Sequence, residues 1–150
     1  MREFPSLAAL GEAVGQHLGY SDWLTVDQDR VNLFADATGD HQWIHVDPER
    51  AKAGPFKRPI AHGFLTLSLL PVLTGEVYRV AGVTMGVNYG LNKVRFPAPV
   101  PVGGRIRAGV ELVEVTPIEG GIQVVGRVTI EVDGSPKPCC VAEAVSRLYA

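Results

Sequence analysis

The sequence predicts an α+β fold in which a curved antiparallel sheet wraps one buried apolar helix. Three observations point there. Apolar residues in the first half recur at helical spacing, whereas from Val83 onward they alternate with a period of two. Between the two regimes lies "FLTLSLL", a helical stretch with hardly any polar face. A helix that is apolar all round must be covered by something larger than one neighbouring helix. The run of strands that follows can supply that cover, and helices first with strands after is the α+β order.

The 150 residues are 46% hydrophobic and 20% charged. A single domain of that size buries roughly 70% of its unfolded surface, which leaves room for a pocket. A formal net charge of -2 gives no reason to expect nucleic acid or an acidic membrane surface as partner. No apolar run reaches the roughly eighteen residues of a membrane span, since "GFLTLSLLPVLTG" is short and contains Pro71. The N-terminal apolar run is interrupted, unlike that of a signal peptide. The only cysteines, Cys139 and Cys140, are adjacent and in a strand point to opposite faces. That removes a disulfide framework and a CxxC metal knuckle, and a reducing cytoplasm is the expected compartment.

Along the chain, Leu7, Leu10, Val14 and Leu18 recur at helical spacing after Ser6, a suitable N-cap, and predict an N-terminal helix over about 6–18. "DWLTV" (Asp22–Val26) is a short strand. Val31, Phe34 and Ala35 give a second helix from about Gln28 to Thr38, closed by Gly39. Asp47 and Pro48 form an N-cap and first helical residue for a short helix through Ala53. The apolar element "AHGFLTLSLLPVLTGEVYRV" comes next, and Pro71 should kink or interrupt it, because its ring removes a backbone donor. In the strand region, Met85, Val87, Tyr89 and Leu91 alternate before Val94 and Phe96 take over on the other parity, which a β-bulge near Asn92 would explain. Two further alternating runs follow, Ile106 to Leu112 and Ile122 to Val132. Asp133-Gly134 is a tight-turn signal before a last strand at about Cys139 to Tyr149. One open sheet leaves unpaired edges, and a second copy of the chain would cover one of them.

Chemistry concentrates in "TGDHQWIHVDP", Thr38 to Pro48. Asp40 and His45 are five residues apart, so neither a continuous helix nor a strand brings them together. They converge only if the chain turns between them, and Gly39 and Asp47-Pro48 supply interruptions of that kind. Asp40 also follows a helix C-terminus, where the dipole disfavours a carboxylate, and a residue that breaks a local rule is a candidate for function. Plainer roles exist: Asp40 closing an Asx-turn, His45 as a hydrogen-bonded loop residue. His41 and His45 as metal ligands would need a helix between Gly39 and Pro48, a segment that looks too short for one, and no further cluster completes a site. No metal is expected. A second element, "RPIAHGF", places His62-Gly63 where the apolar helix begins. The first N–H groups of a helix lack internal partners, and a glycine lets a substrate approach them. Gly63 N–H would suit a carbonyl gaining negative charge; equally, Gly63 would fit the turn and His62 would cap the helix.

Taken together these residues resemble the MaoC-like, (R)-specific enoyl-CoA hydratase family, whose fold is the hot-dog fold. The resemblance rests on Phe34, Thr38, Gly39-Asp40, His45 and Ala51, on "RPIAHG" (Arg58–Gly63) with the apolar helix after it, and on the strand-rich half that begins near "VRFPAPVPVGG". It covers roughly residues 20–150. Where the family has Asn-Pro between the Asp and the His, this chain has Gln42-Trp43, which bears on the shape of the loop and so on substrate length or branching. The N-terminal helix lies outside the motif.

The resemblance implies hydration of a trans-2-enoyl-CoA to the (R)-3-hydroxyacyl-CoA, with proton and hydroxyl delivered from one side and no cofactor. Asp40 and His45 would share the water, and Gly63 would hold the thioester oxygen. His62, Phe64, Leu67 and Trp43 would contact the substrate, and Lys57, Arg58, Lys93 and Arg95 are candidates for the CoA phosphates. The expected partners are the acyl-CoA thioester and a second copy in a homodimer. Two other readings compete: an acyl-CoA thioesterase of the same fold, which would release free thiol from a saturated substrate, and a non-catalytic acyl-CoA-binding or scaffold subunit, which would bind without turnover.

Overall fold

The computed structural model describes residues 1–150. Its main sheet is antiparallel and contains β2 (His17–Tyr20), β5 (Met85–Arg95), β6 (Arg105–Ile118), β7 (Gly121–Val132) and β8 (Cys140–Tyr149), in the order β2-β6-β7-β8-β5. The short β3 (Leu24–Thr25) also pairs with β6. A separate two-stranded parallel piece joins β1 (Arg2–Phe4) to β4 (Tyr78–Val80). The helices are α1 (Leu7–Gly11), α2 (Gln28–Thr38), α3 (Trp43–Val46), α4 (Pro48–Ala53), α5 (Gly63–Ser68) and α6 (Leu70–Val77).

The alternation that predicts strands also fixes which face is inside. Ile106, Ala108, Val110 and Leu112 of β6 and Val128, Ile130 and Val132 of β7 are buried on the concave face. Leu65, Leu69, Leu70, Leu73 and Val77 of α5 and α6 join them in one apolar core. Bulges bend the sheet around these helices: the β5–β8 register shifts between Asn88 and Gly90 and again between Leu91 and Lys93, so Asn92 sits at a bulge as its parity switch predicts. Gly134 has φ 78 in the turn between β7 and β8, where Ser135 N donates to the Val132 carbonyl at 3.0 Å.

Three expectations need correction. The N-terminal helix stops at Gly11 instead of running to 18. Ser6 does cap it, accepting from Ala9 N at 3.1 Å, but Gly15 at φ 85 turns the chain and Leu18 reaches the core from a strand paired with β6. Val14 is left exposed, so the helical spacing of Leu10, Val14 and Leu18 is coincidental. The segment Tyr78–Val80, expected in the apolar helix, is a strand paired with residues 2–4, a partnership that no local pattern reports. Pro71 does interrupt the helix: α5 ends at Ser68, Leu69 caps it, and α6 begins at Leu70 with Pro71 in its first turn. The apolar element is also not covered all round, because Phe64 of α5 is 70% exposed and Val72 of α6 is exposed too.

Candidate active site

Asp40 is placed by the end of α2. Gly39 adopts the left-handed conformation (φ 81, ψ 3) and its N–H returns to the Ala35 carbonyl, so the chain leaves the helix at a sharp angle. The Asp40 carboxylate accepts from Gln42 N at 3.3 Å, closing the Asx-turn. One oxygen is used in this way, and the exposed carboxylate keeps further acceptor capacity. The turn delivers the chain into α3. This one-turn helix forms despite its length, and its capping N–H, that of Asp47, reaches the Trp43 carbonyl.

α3 turns His45 inward, where it is 6% exposed. Its Nδ1 lies 2.6 Å from the Ile60 carbonyl oxygen. A carbonyl only accepts, so the proton is on Nδ1 and the Nε2 lone pair is free. Burial holds the His45 pKa below its ordinary 6.5; the Ile60 bond opposes this, the neighbouring His62 adds to it and Asp40 opposes it. The result is a neutral imidazole with a basic nitrogen to offer.

His62 completes the arrangement. It stacks on His45 with ring centroids 3.9 Å apart and packs on Phe34 at 4.9 Å. Its Nε2 donates to the Asp40 backbone carbonyl at 2.9 Å, while its Nδ1 is buried without a hydrogen-bond partner. His62 is 2% exposed and occupies the N-cap position of α5 without a capping bond. It is therefore buried against the His45 ring and holds the backbone of Asp40.

A ring nitrogen of His45, one of His62 and a carboxylate oxygen of Asp40 all lie within 4.8 Å of one another. This spacing invites comparison with a metal site. Zinc needs lone pairs aimed at one point about 2.1 Å from each nitrogen. Imidazole lone pairs lie in the ring plane, and these rings are stacked at an interplanar angle of 26°. The two lone pairs run side by side and do not meet on an ion. His41, the other histidine of the segment, pairs instead with Asp36 at 2.8 Å on the surface.

Gly63 is the first residue of α5, so its N–H has no acceptor within the helix. A Cβ there would stand 3.2 Å from two ring atoms of Phe96, which gives the glycine a packing reason beside any functional one. One turn on, Leu67 opens a cavity of about 390 Å³ between α5–α6 and the concave sheet face. Trp43 and Phe64 are elsewhere. The Trp43 ring lies under the Arg50 guanidinium at 4.5 Å and against Gly54; Phe64 meets Phe96 edge-on. Neither lines the cavity. Lys57, Arg58, Lys93 and Arg95 are all exposed and none pairs with a carboxylate. Two contributors escaped the sequence reading: the Ile60 carbonyl, which sets the His45 tautomer, and the ring stack of His62. A backbone acceptor fifteen residues away and a side-chain stack leave no pattern in sequence.

The MaoC like domain family model matches residues 9–133. The 3-hydroxyacyl-thioester dehydratase Z of Mycobacterium tuberculosis (strain ATCC 25618 / H37Rv) is 60% identical over 151 residues, covering 100% of both chains. Among solved structures, the R-hydratase PhaJ1 from Pseudomonas aeruginosa is similar with TM-score 0.73 and 25% identity, over 96% of this chain and 85% of that one. The (R)-hydratase from A. caviae involved in PHA biosynthesis is similar with TM-score 0.70 and 27% identity, over 90% and 96% of the two chains.

Proposed function

The chain belongs to the MaoC-like domain family, and on that premise we propose that Asp40 and His45 activate water for (R)-specific hydration of trans-2-enoyl-CoA to (R)-3-hydroxyacyl-CoA. The reverse dehydration uses the same groups. The chain is an enzyme, a hydro-lyase acting on acyl thioesters, and the 60% identity to a 3-hydroxyacyl-thioester dehydratase spans its whole length. In this reading residues 1–150 work as a single MaoC-like domain.

One observation carries the assignment of residues: a neutral imidazole, its proton locked toward Ile60, faces a carboxylate across less than 4.8 Å. Water between them donates one hydrogen to His45 Nε2 and one to Asp40. Its oxygen bonds to C3 as the C2=C3 electron pair shifts toward the thioester oxygen. The proton lost by water passes to one member of the couple, and the couple delivers a proton to C2 from the same side. Each such transfer is typically worth 10²–10⁴-fold. The Gly63 N–H holds the enolate-like oxygen, a contribution of about 3 kcal/mol. Leu67 and the cavity behind it receive the acyl chain.

The test is loss of enoyl-thioester absorbance with crotonyl-CoA. Wild type should turn it over, and Asp40→Asn and His45→Gln should each lose most activity while remaining folded. Full activity in both variants would end the assignment of these residues.

The reading extends to assembly and compartment. β5 is a sheet edge along which Met85, Val87, Tyr89 and Leu91 are exposed, with Phe96 exposed directly after its last residue and Phe64 edge-on to Phe96. An open edge bearing apolar side chains is a template for pairing, and a second copy meeting it strand to strand would form the homodimer. The two free, adjacent, buried thiols fit a reducing cytoplasm.

A further inference from the structure

The acyl cavity is apolar along most of its wall, which includes Leu67, Leu70, Val110, Leu112, Val124 and Val128. Its character changes beyond α6. There Tyr78, Asn88 and Ser146 join the wall, and the same three residues line a second cavity of about 400 Å³ that runs on toward Arg79 and Leu148. Asn88 of β5 and Ser146 of β8 are register partners, so they stand side by side on one sheet face, and Tyr78 follows directly on α6.

The two cavities owe their space to glycines. Gly90 lines the first and Gly86 the second, two residues either side of Asn88. A Cβ at Gly90 would meet nothing within 4 Å, and one at Gly86 only Leu148 Cδ2 at 3.5 Å. The floor is bare on both sides of Asn88, which stands as a polar partition between two open volumes. Thr74, in the same wall, uses its hydroxyl on the Leu70 carbonyl at 2.9 Å. Tyr78, Asn88 and Ser146 have no such internal partner: their side chains take part in no hydrogen bond with the rest of the protein. Burial keeps the Tyr78 phenol above its ordinary pKa, so it stays an O–H donor.

An alkyl tail lying against these groups would strip water from three polar side chains and offer nothing in return, which costs free energy. From Gly63 to Thr74 is eleven residues of nearly continuous helix, about 16 Å at the helical rise. An extended chain advances about 3.5 Å for every three bonds, so that depth corresponds to roughly 14 bonds. We propose that the preferred substrate is an enoyl thioester whose acyl chain carries a distal oxygen, hydroxyl or carbonyl, received by Tyr78, Asn88 and Ser146. This rests on the hydratase reading above and names the substrate class for it.

The experiment compares two enoyl-CoA thioesters of about 14 carbons, one with a terminal hydroxyl and one without, a chain matched to the depth just derived. For wild type the kcat/KM ratio should favour the hydroxylated substrate by about 10-fold or more, the direction expected of a site whose polar groups are otherwise left unpaired. In Tyr78→Phe and in Ser146→Ala, each checked for folding by circular dichroism, the ratio should fall toward 1. A fall in either folded variant supports the assignment. A wild-type ratio of 1 or below, or a ratio unchanged in both variants, overturns it. Crotonyl-CoA, too short to reach the trio, is the separating arm: if wild type does not hydrate it or either long substrate, the hydratase reading itself fails.

Discussion

His45→Asn keeps an N–H donor near the position from which Nδ1 now reaches the Ile60 carbonyl, 2.6 Å away, and removes Nε2, the nitrogen left free for water. His45→Ala removes both. The buried Ile60 acceptor then loses its partner, worth about 1–3 kcal/mol, and the truncated ring leaves a void against His62, which raises the total to about 2–4 kcal/mol. For a chain of this size each kcal/mol moves Tm by about 2–4 °C, so the alanine variant should melt some 4–16 °C below wild type by that scale. The asparagine variant should melt within a few degrees of wild type. Both should lose about 10²–10⁴-fold in kcat/KM for crotonyl-CoA, because both lack the base.

The same pair reports on pH. Burial lowers the folded pKa of His45 below 6.5. Above pH 6.5 the ring is neutral whether folded or unfolded, and its contribution is fully present. As the pH falls, the unfolded chain takes the proton first, so stability is lost from 6.5 down through the folded value. Urea unfolding between about pH 7 and pH 5 should show this loss in wild type and a shallower one in His45→Asn. An asparagine variant that melts like wild type yet keeps more than about a tenth of its kcat/KM would refute the role of Nε2, since general base catalysis is worth far more than that.

Two further outcomes follow from the same geometry. Gly63→Ala puts a methyl group 3.2 Å from the Phe96 ring and beside the N–H offered to the thioester oxygen. The N–H stays, but the methyl group crowds the approach of the thioester oxygen to it, so kcat should fall, at most by the roughly 10²-fold scale of losing one such donor. Gly63→Ala/Phe96→Ala, which removes the clash, should regain stability without regaining rate; recovery of rate would show that the Phe96 contact, and not crowding at the N–H, caused the loss. Val87→Lys places a charge on the exposed β5 edge, which should block strand pairing and yield monomer in sedimentation equilibrium. An unchanged dimer would move the interface to another surface.

The order of elements was legible because each rests on local physics. Gly39 ends α2 at the residue where a left-handed conformation is needed, Asp47 accepts from Arg50 N at 3.0 Å to start α4, and the parity switch at Asn92 marks a real bulge. These are short-range requirements written in neighbouring residues. What misled was also local: Leu10, Val14 and Leu18 keep helical spacing across a turn that Gly15 imposes.

The sequence alone nominated the groups that the proposed chemistry uses, because aspartate, histidine and an unpaired helix N–H are properties of residue type and position in an element. Only the tertiary structure decided how they are set. The tautomer of His45 depends on a carbonyl fifteen residues away, and His62 is held in place by a stack on Phe34 and His45. The cavity beside Leu67 likewise forms only where Gly90 of β5 comes to face α5 and α6. Contacts between distant segments are chosen by the packing of the whole chain and leave no period in the residues that make them.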